Sequence, residues 1–251
     1  FQKYIIKDYQ QNLFQELSTS IKFEDIVPGR RGTNIVDIKE DRLIPIVRTT
    51  AVYNSQSQQM LPIHHDIIEK IRKVSNIKDE DLELNNALVE IYDNQYRSMR
   101  FHTDQSLDLK DDSYICIFSC YKNGDDNKNQ RKLFVKNKES GDLMTISLPH
   151  NSVLIFSTKT NQEHLHKIVL DTYPDTENSN EWLGITFRCA KRFIKFVDNV
   201  PYLYPENCVL RLADEGERKA FAKEKGNENK VVGHVFSHFD YTVSPGDLIV
   251  L

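Results

Sequence analysis

The chain has 251 residues, 39% hydrophobic and 28% charged, which fits a folded protein with a sizeable core and excludes a disordered or low-complexity class. A net charge of −4 supplies no global basic field for a polyanion, although a local one is still allowed. No apolar run approaches the roughly 20 residues of a transmembrane helix, and the first residues have neither the long apolar core nor the small-residue cleavage site of a leader. We therefore expect no membrane association. The four cysteines, Cys116, Cys120, Cys189 and Cys208, form no C-x-x-C pair, and two of them sit in an apolar run. They are expected to be buried free thiols in a reducing, intracellular setting, cytoplasmic or nuclear.

In chain order, Tyr9, Leu13, Phe14 and Leu17 recur at helical spacing and predict a helix within residues 1–20. Residues 21–42 are polar, with Pro28-Gly29-Arg30-Arg31-Gly32 as a loop signal and its basic pair as a solvated feature, a grip on phosphate being the less favoured reading. Residues 43–53 are β-rich, with Pro45 at an edge or a strand start. Residues 63–74 are amphipathic, with Ile67, Ile68, Ile71 and Val74 inward, a helix to cover one face of a sheet. Strands are then predicted over 87–92, 114–121, 131–135, 143–148, 152–157, from His166 onward, 182–188 and 192–197, with a loop over 172–180. Past residue 200 the composition changes. A charged helix is predicted over 209–225 and a final strand or docking arm over 241–251. The expected fold is mainly β with flanking helices, a double-sheet jelly roll (double-stranded β-helix) with helices on one side. Its expected parts are an N-terminal helix and loop over 1–42, the jelly-roll core over 43–200, and a C-terminal helix and strand extension over 201–251.

The chemistry centres on Phe101-His102-Thr103-Asp104. Residues two apart on a strand share a face, so His102 and Asp104 can grip one small cation from one side. A second histidine would complete two His and one carboxylate with open positions opposite, the set expected for oxygen-activating non-haem Fe(II). Two candidates lie past the strand at 152–157, His164 and His166. His166 leads into Lys167-Ile168-Val169, and a strand edge fixes a side chain better than a loop does, which favours it. Such iron needs a reducing cosubstrate, and an anionic one needs a cation. Arg188 ends the apolar strand 182–188 with Thr186 two residues before it on the same face. It provides a planar fork for a carboxylate, either of a cosubstrate or of an acidic residue of the chain.

The order His102-x-Asp104, then residues 148–156 (Leu-Pro-His-Asn-Ser-Val-Leu-Ile-Phe), then His166-Lys167-Ile168, then Thr186-Phe187-Arg188 resembles the Fe(II)/2-oxoglutarate-dependent dioxygenases. Within them it is similar to the AlkB-like branch. Glu90-Ile91-Tyr92 is similar to the Asn-x-Tyr that precedes His-x-Asp there, and residues 44–53 to a strand that contributes to nucleotide binding. The resemblance covers roughly residues 43–190. It implies that His102, Asp104 and His166 hold Fe(II). It also implies that Arg188, with Thr186 and the Tyr92 hydroxyl, binds 2-oxoglutarate, and that Arg48, Tyr53 and Ser106 lie toward the substrate. The implied reaction couples decarboxylation of 2-oxoglutarate by O2 to hydroxylation of a C–H bond. On an N-methyl group that ends in loss of formaldehyde. The chain departs from the branch at Trp182, where a second arginine is usual, at Glu90, and at Ser106, where many members carry an acid. Alkylated nucleic acid is the leading expected substrate, supported by six basic residues over 122–138 (Lys122, Lys128, Arg131, Lys132, Lys136 and Lys138). A protein side chain is the alternative, and a non-catalytic binding module on the same fold a third.

Overall fold

The computed structural model describes every residue except 8, 10, 40, 79, 81, 127, 128, 172–179 and 251. Its strands are β1 (Gln2–Ile5), β2 (Glu24–Val27), β3 (Arg30–Val36), β4 (Ile44–Ile46), β5 (Gln58–Gln59), β6 (Asn86–Tyr92) and β7 (Tyr114–Tyr121). They continue with β8 (Lys132–Asn137), β9 (Leu143–Ser147), β10 (Ser152–Ser157), β11 (His164–Val169), β12 (Trp182–Arg188), β13 (Arg192–Val197) and β14 (Val200–Tyr204). The last are β15 (Cys208–Val209), β16 (Arg211–Leu212) and β17 (Tyr241–Thr242). The helices are α1 (Phe14–Thr19), α2 (Pro62–Ser75), α3 (Thr158–Glu163) and α4 (Glu215–Glu228).

Eight strands make the main sheet in the order β1-β10-β7-β12-β6-β3-β2, with β5 beside β3. A second sheet is β11-β8-β9. Period-two alternation decides what each face of the main sheet touches. Ala87, Val89 and Ile91 of β6, Cys116, Phe118 and Cys120 of β7, and Leu183, Ile185 and Phe187 of β12 share one apolar cluster with Ile67, Ile68 and Ile71 of α2 and with Phe14 and Leu17 of α1. The opposite face packs Ile115 and Ile117 of β7 and Trp182 of β12 against Leu133, Val135 and Ile168 of the second sheet. The architecture is thus two antiparallel sheets with helices on the outer face of one, the jelly roll that the strand spacing predicts.

Several boundaries differ from expectation. Residues 1–42 belong to the core rather than flanking it. β1 pairs along β10, and β2 and β3 form a hairpin whose β3 pairs with β6 over seven residues. Among the described residues there the helix is α1, shorter than the apolar spacing suggests, and the Asn12 side chain before it accepts from the Phe14 N–H at 2.9 Å. Pro28-Gly29 is the turn of the hairpin, with Gly29 at φ +76°. Arg30 and Arg31 are strand residues, ion-paired to Glu90 and Glu181. The boundary near residue 200 falls inside the β13–β14 hairpin of a four-stranded sheet, β15-β14-β13-β4. Residues 209–212 pair as β15 and β16, and α4 begins only at Glu215. The arm after 241 is a two-residue strand followed by a 3-10 turn, Pro245–Leu248. The loop expected at 172–180 and Lys128 lie outside the described residues, Asn180 excepted. Cys116, Cys120 and Cys189 are buried free thiols, and Cys208 is half-buried and also free. Among the described residues no helix is long and apolar enough to cross a membrane.

Candidate metal centre and active site

Backbone pairing brings the two histidines together. The His102 N–H donates to the carbonyl of His166 at 3.0 Å, and the His166 N–H to that of His102 at 2.7 Å. In such a pair of an antiparallel ladder the side chains stand on the same face, neighbours by construction. Their ring centroids are 4.6 Å apart. A further bridge, Ser98 to Val169, runs the irregular segment before His102 alongside β11. The two sheets then place Asp104 between the rings. Its Oδ1 lies 3.8 Å from His102 Nε2 and 3.6 Å from His166 Nε2. The three donor atoms fall within 4.8 Å of one another. Two bonds of about 2.1 Å span up to about 4.2 Å, so one cation can reach each His–Asp pair. The His164 ring turns elsewhere, toward the Thr160 carbonyl and Asn137.

Each donor is oriented by its neighbours. His102 Nδ1 sits 3.0 Å from the Arg100 carbonyl, which can only accept, so the proton belongs on Nδ1 and the Nε2 lone pair faces Asp104. About a third of the His102 side chain, 33%, opens onto the cavity. Loss of solvent there, and next His166, push its imidazole down to about 3. Burial by itself would raise the Asp104 carboxyl. Arg188 outweighs that, aided by His166 and His102, and holds it well below the usual carboxylate range. The group is therefore an anion, with one oxygen gripped and the other free. His166 Nδ1 is buried without a partner among the described residues. The donor set, two imidazole nitrogens and one carboxylate oxygen, fits a divalent first-row metal with open positions.

Arg188 spends two donors on Asp104 Oδ2, Nε at 2.9 Å and a terminal nitrogen at 2.8 Å. Its partner here is the acid of the triad. It lines a cavity of about 500 Å³ that also takes in His102, Asp104, His166, Thr186 and Glu90. Tyr92 does not reach that cavity. It is fully buried, its hydroxyl donates to Glu90 Oε2 at 2.5 Å, and its ring packs 4.9 Å from Trp182 and 5.0 Å from the Arg131 guanidinium. The polar group facing the cavity from β6 is Glu90, paired with Arg30 of β3 at 2.5 Å.

Arg48, Tyr53 and Ser106, expected toward the substrate, are not among the residues that line this cavity. Arg48 and Asp108 are both 0% exposed and form a fork-to-fork pair. Arg48 also donates to the carbonyls of Phe239 and Tyr241 at 2.9 and 2.8 Å. It fastens the C-terminal segment to the core. Tyr53 is buried over Gly32, and its backbone bonds Ser244 and Gly246. Ser106 donates from both its N–H and its hydroxyl to Glu228 of α4. Of the basic run over 122–138, Lys136 is exposed and the other described members have partners. Lys122 and Lys132 pair with Glu181 and Asp171, Lys138 donates to the Glu228 carbonyl, and Arg131 is buried on the carbonyls of Asp93 and Tyr96.

The sequence pattern misses the Arg30–Glu90 pair and the C-terminal wall of the cavity, supplied by Lys225 and Asn229. A signal for α4 exists in the capping box Asp214-x-x-Glu217, but nothing in it says where the far end lands.

Among curated proteins no sequence matches this one closely enough to count. The family model described as the 2OG-Fe(II) oxygenase superfamily matches residues 1–188 of the 251 and so takes in β1 through β12 with all three converging side chains. The chain belongs to that superfamily and is an Fe(II)/2-oxoglutarate-dependent dioxygenase.

Proposed function

We propose that this dioxygenase oxidatively demethylates an alkylated base of a nucleic acid. Fe(II) and 2-oxoglutarate, when bound, supply the oxidising power for C–H hydroxylation by O2. The residues do the rest. His102, Asp104 and His166 hold the metal from one side and leave the cavity side open. Arg188 keeps Asp104 ionised and aimed. Its remaining N–H donors and the Thr186 hydroxyl are offered to a cosubstrate carboxylate. Apolar Leu88, Ile117 and Ile168 line the cavity and keep water from the reacting centre.

The observation that carries the substrate reading is the charge of the cavity wall. Four cations line it, Arg30, Arg100, Arg188 and Lys225, against two acids, Glu90 and Asp104, in a chain whose overall charge is negative. Arg100 is exposed there and makes no ion pair among the described residues. Next to it stands Phe101, an aromatic face beneath the Lys167 ammonium, 4.7 Å away. A cation without a partner beside an aromatic surface suits a phosphate followed by a base. The similarity of the ordered motifs to the AlkB-like branch supports the same reading.

The test is formaldehyde and succinate release with short single-stranded oligonucleotides carrying one N-methylated base, against methylated peptides of equal length. Oligonucleotide-dependent formaldehyde is expected, with KM rising steeply with salt and several-fold on Arg100→Glu. Turnover with the peptides alone would overturn the reading.

A further inference from the structure

The segment past residue 188 lies outside the family match, yet it builds one wall of the catalytic cavity. The last turn of α4 runs onto the loop that carries Asp104. Asn229 Oδ1 accepts from the Thr103 N–H at 2.9 Å, and Lys225 Nζ donates to the Thr103 carbonyl and, at 2.8 Å, to Glu228. Glu228 Oε1 accepts from the Ser106 N–H at 2.8 Å and from its hydroxyl at 2.7 Å. On the other side, the Asn161 amide brackets Asp104 like a strand neighbour, accepting from its N–H at 2.9 Å and donating to its carbonyl at 2.7 Å. These residues answer the N–H and carbonyl of Thr103 and of Asp104 and the N–H of Ser106.

Gln105 sits in the middle of this grip and is the exception. It is 4% exposed and lines the cavity, and neither its amide nitrogen nor its carbonyl oxygen has a partner among the described residues. A buried amide without partners lowers stability, and native proteins keep few such groups. The neighbours on both sides are satisfied, so a general shortage of partners does not explain it. The Asn94 amide is likewise unanswered, but away from the cavity, whereas that of Gln105 borders the space a ligand would fill. A primary amide offers two donors and one acceptor in a plane, which matches the donor–acceptor edge of a nucleobase and gives an alkyl chain nothing to pair with.

We propose that Gln105 is the specificity-determining residue of this enzyme, pairing with the hydrogen-bonding edge of the substrate base, and that α4, through Lys225, Glu228 and Asn229, fixes the loop that presents it. The choice of a base rests on the function proposed above. The pairing role does not, since a peptide amide has the same donor and acceptor pattern.

Gln105→Met keeps the shape and removes both polar atoms. KM for an oligonucleotide with one N-methylated base should rise about tenfold or more, with kcat changed less, because the substrate's polar edge would meet an apolar wall. The melting temperature of the free protein should rise, because an unanswered buried amide is gone. A purely structural glutamine would lower the melting temperature and leave KM alone. A KM within twofold of the parent overturns the proposal, whatever the melting temperature. Should Gln105→Met fail to fold, Gln105→Glu gives the same decision, since it keeps the outline but loses the donors. Wild-type turnover of methylated peptides and not of oligonucleotides would overturn the nucleic-acid reading alone. The Gln105→Met effect on peptide KM would then decide the pairing role.

Discussion

The two walls of the catalytic cavity are built by different means. On one side, β6, β7 and β12 are joined by continuous ladders, and residues of alternate parity point inward whatever their identity. On the other side, α4 meets the Asp104 loop almost wholly through side chains gripping backbone, with Asn229, Lys225 and Glu228 as the contacts. A ladder tolerates substitution because its bonds come from groups every residue carries. A wall of specific side chains does not. The ladder side carries Arg188 and Thr186, whereas Asp104 sits on the loop held by side chains, so the metal site depends on both kinds of wall.

The largest break of that contrast is Arg48→Ala. It leaves the fully buried Asp108 with only the longer Arg192 contact, 3.4 Å, as its cation and frees the carbonyls of Phe239 and Tyr241. Loss of one partner of a buried pair costs about 3–5 kcal/mol, to be read from urea unfolding. The C-terminal wall should also become the first segment open to limited proteolysis.

The ladder side is sharpened by pH. His64, in the helix behind the sheet, is 0% exposed and accepts the Leu61 N–H at Nδ1, 2.9 Å away. Burial first, and then His65, push its imidazole down from 6.5 to about 4. Between those values the unfolded chain binds a proton that the folded one refuses. The stability present above pH 6.5 is therefore lost as pH falls toward 4, by up to about 3 kcal/mol. His64→Gln should flatten that slope in urea titrations at pH 4, 5.5 and 7. An unchanged slope would mean another group carries it.

Asn229→Ala is the smallest of the three. It removes one acceptor from the Thr103 N–H and should cost about 1–3 kcal/mol. Because Thr103 lies between two of the converging donors, iron affinity should also fall about tenfold, measured by competition with a chelator. An equal loss of stability with unaltered iron affinity would separate the wall from the metal centre.

What was legible in the sequence follows the same division. Strands β7, β12 and β13 were bounded correctly because apolar alternation and β-branched residues leave little choice there. His102 and Asp104 were legible from spacing, and His166 from its place at a strand. The N-terminal hairpin is hidden because Arg30, Arg31 and Asn34 are polar residues on a strand of the sheet, the charges of the two arginines being met by Glu90 and Glu181 far along the chain. The places of Arg48, Tyr53 and Ser106 away from the cavity lining are hidden from the sequence for a related reason. Their partners, Asp108, Ser244, Gly246 and Glu228, lie 60 to 193 positions away, and no local pattern encodes such a meeting. The place of Tyr92 is hidden on a smaller scale. Glu90 takes its hydroxyl, and the acid rather than the phenol faces the cavity.

The reciprocal bonds between His102 and His166 carry one last consequence. The separation of the two imidazoles is written into a peptide ladder and needs no cation to establish it. Metal-free and metal-loaded protein should share one backbone there, so loading should proceed without refolding. The amide hydrogens of both residues should exchange slowly with deuterated solvent in either state.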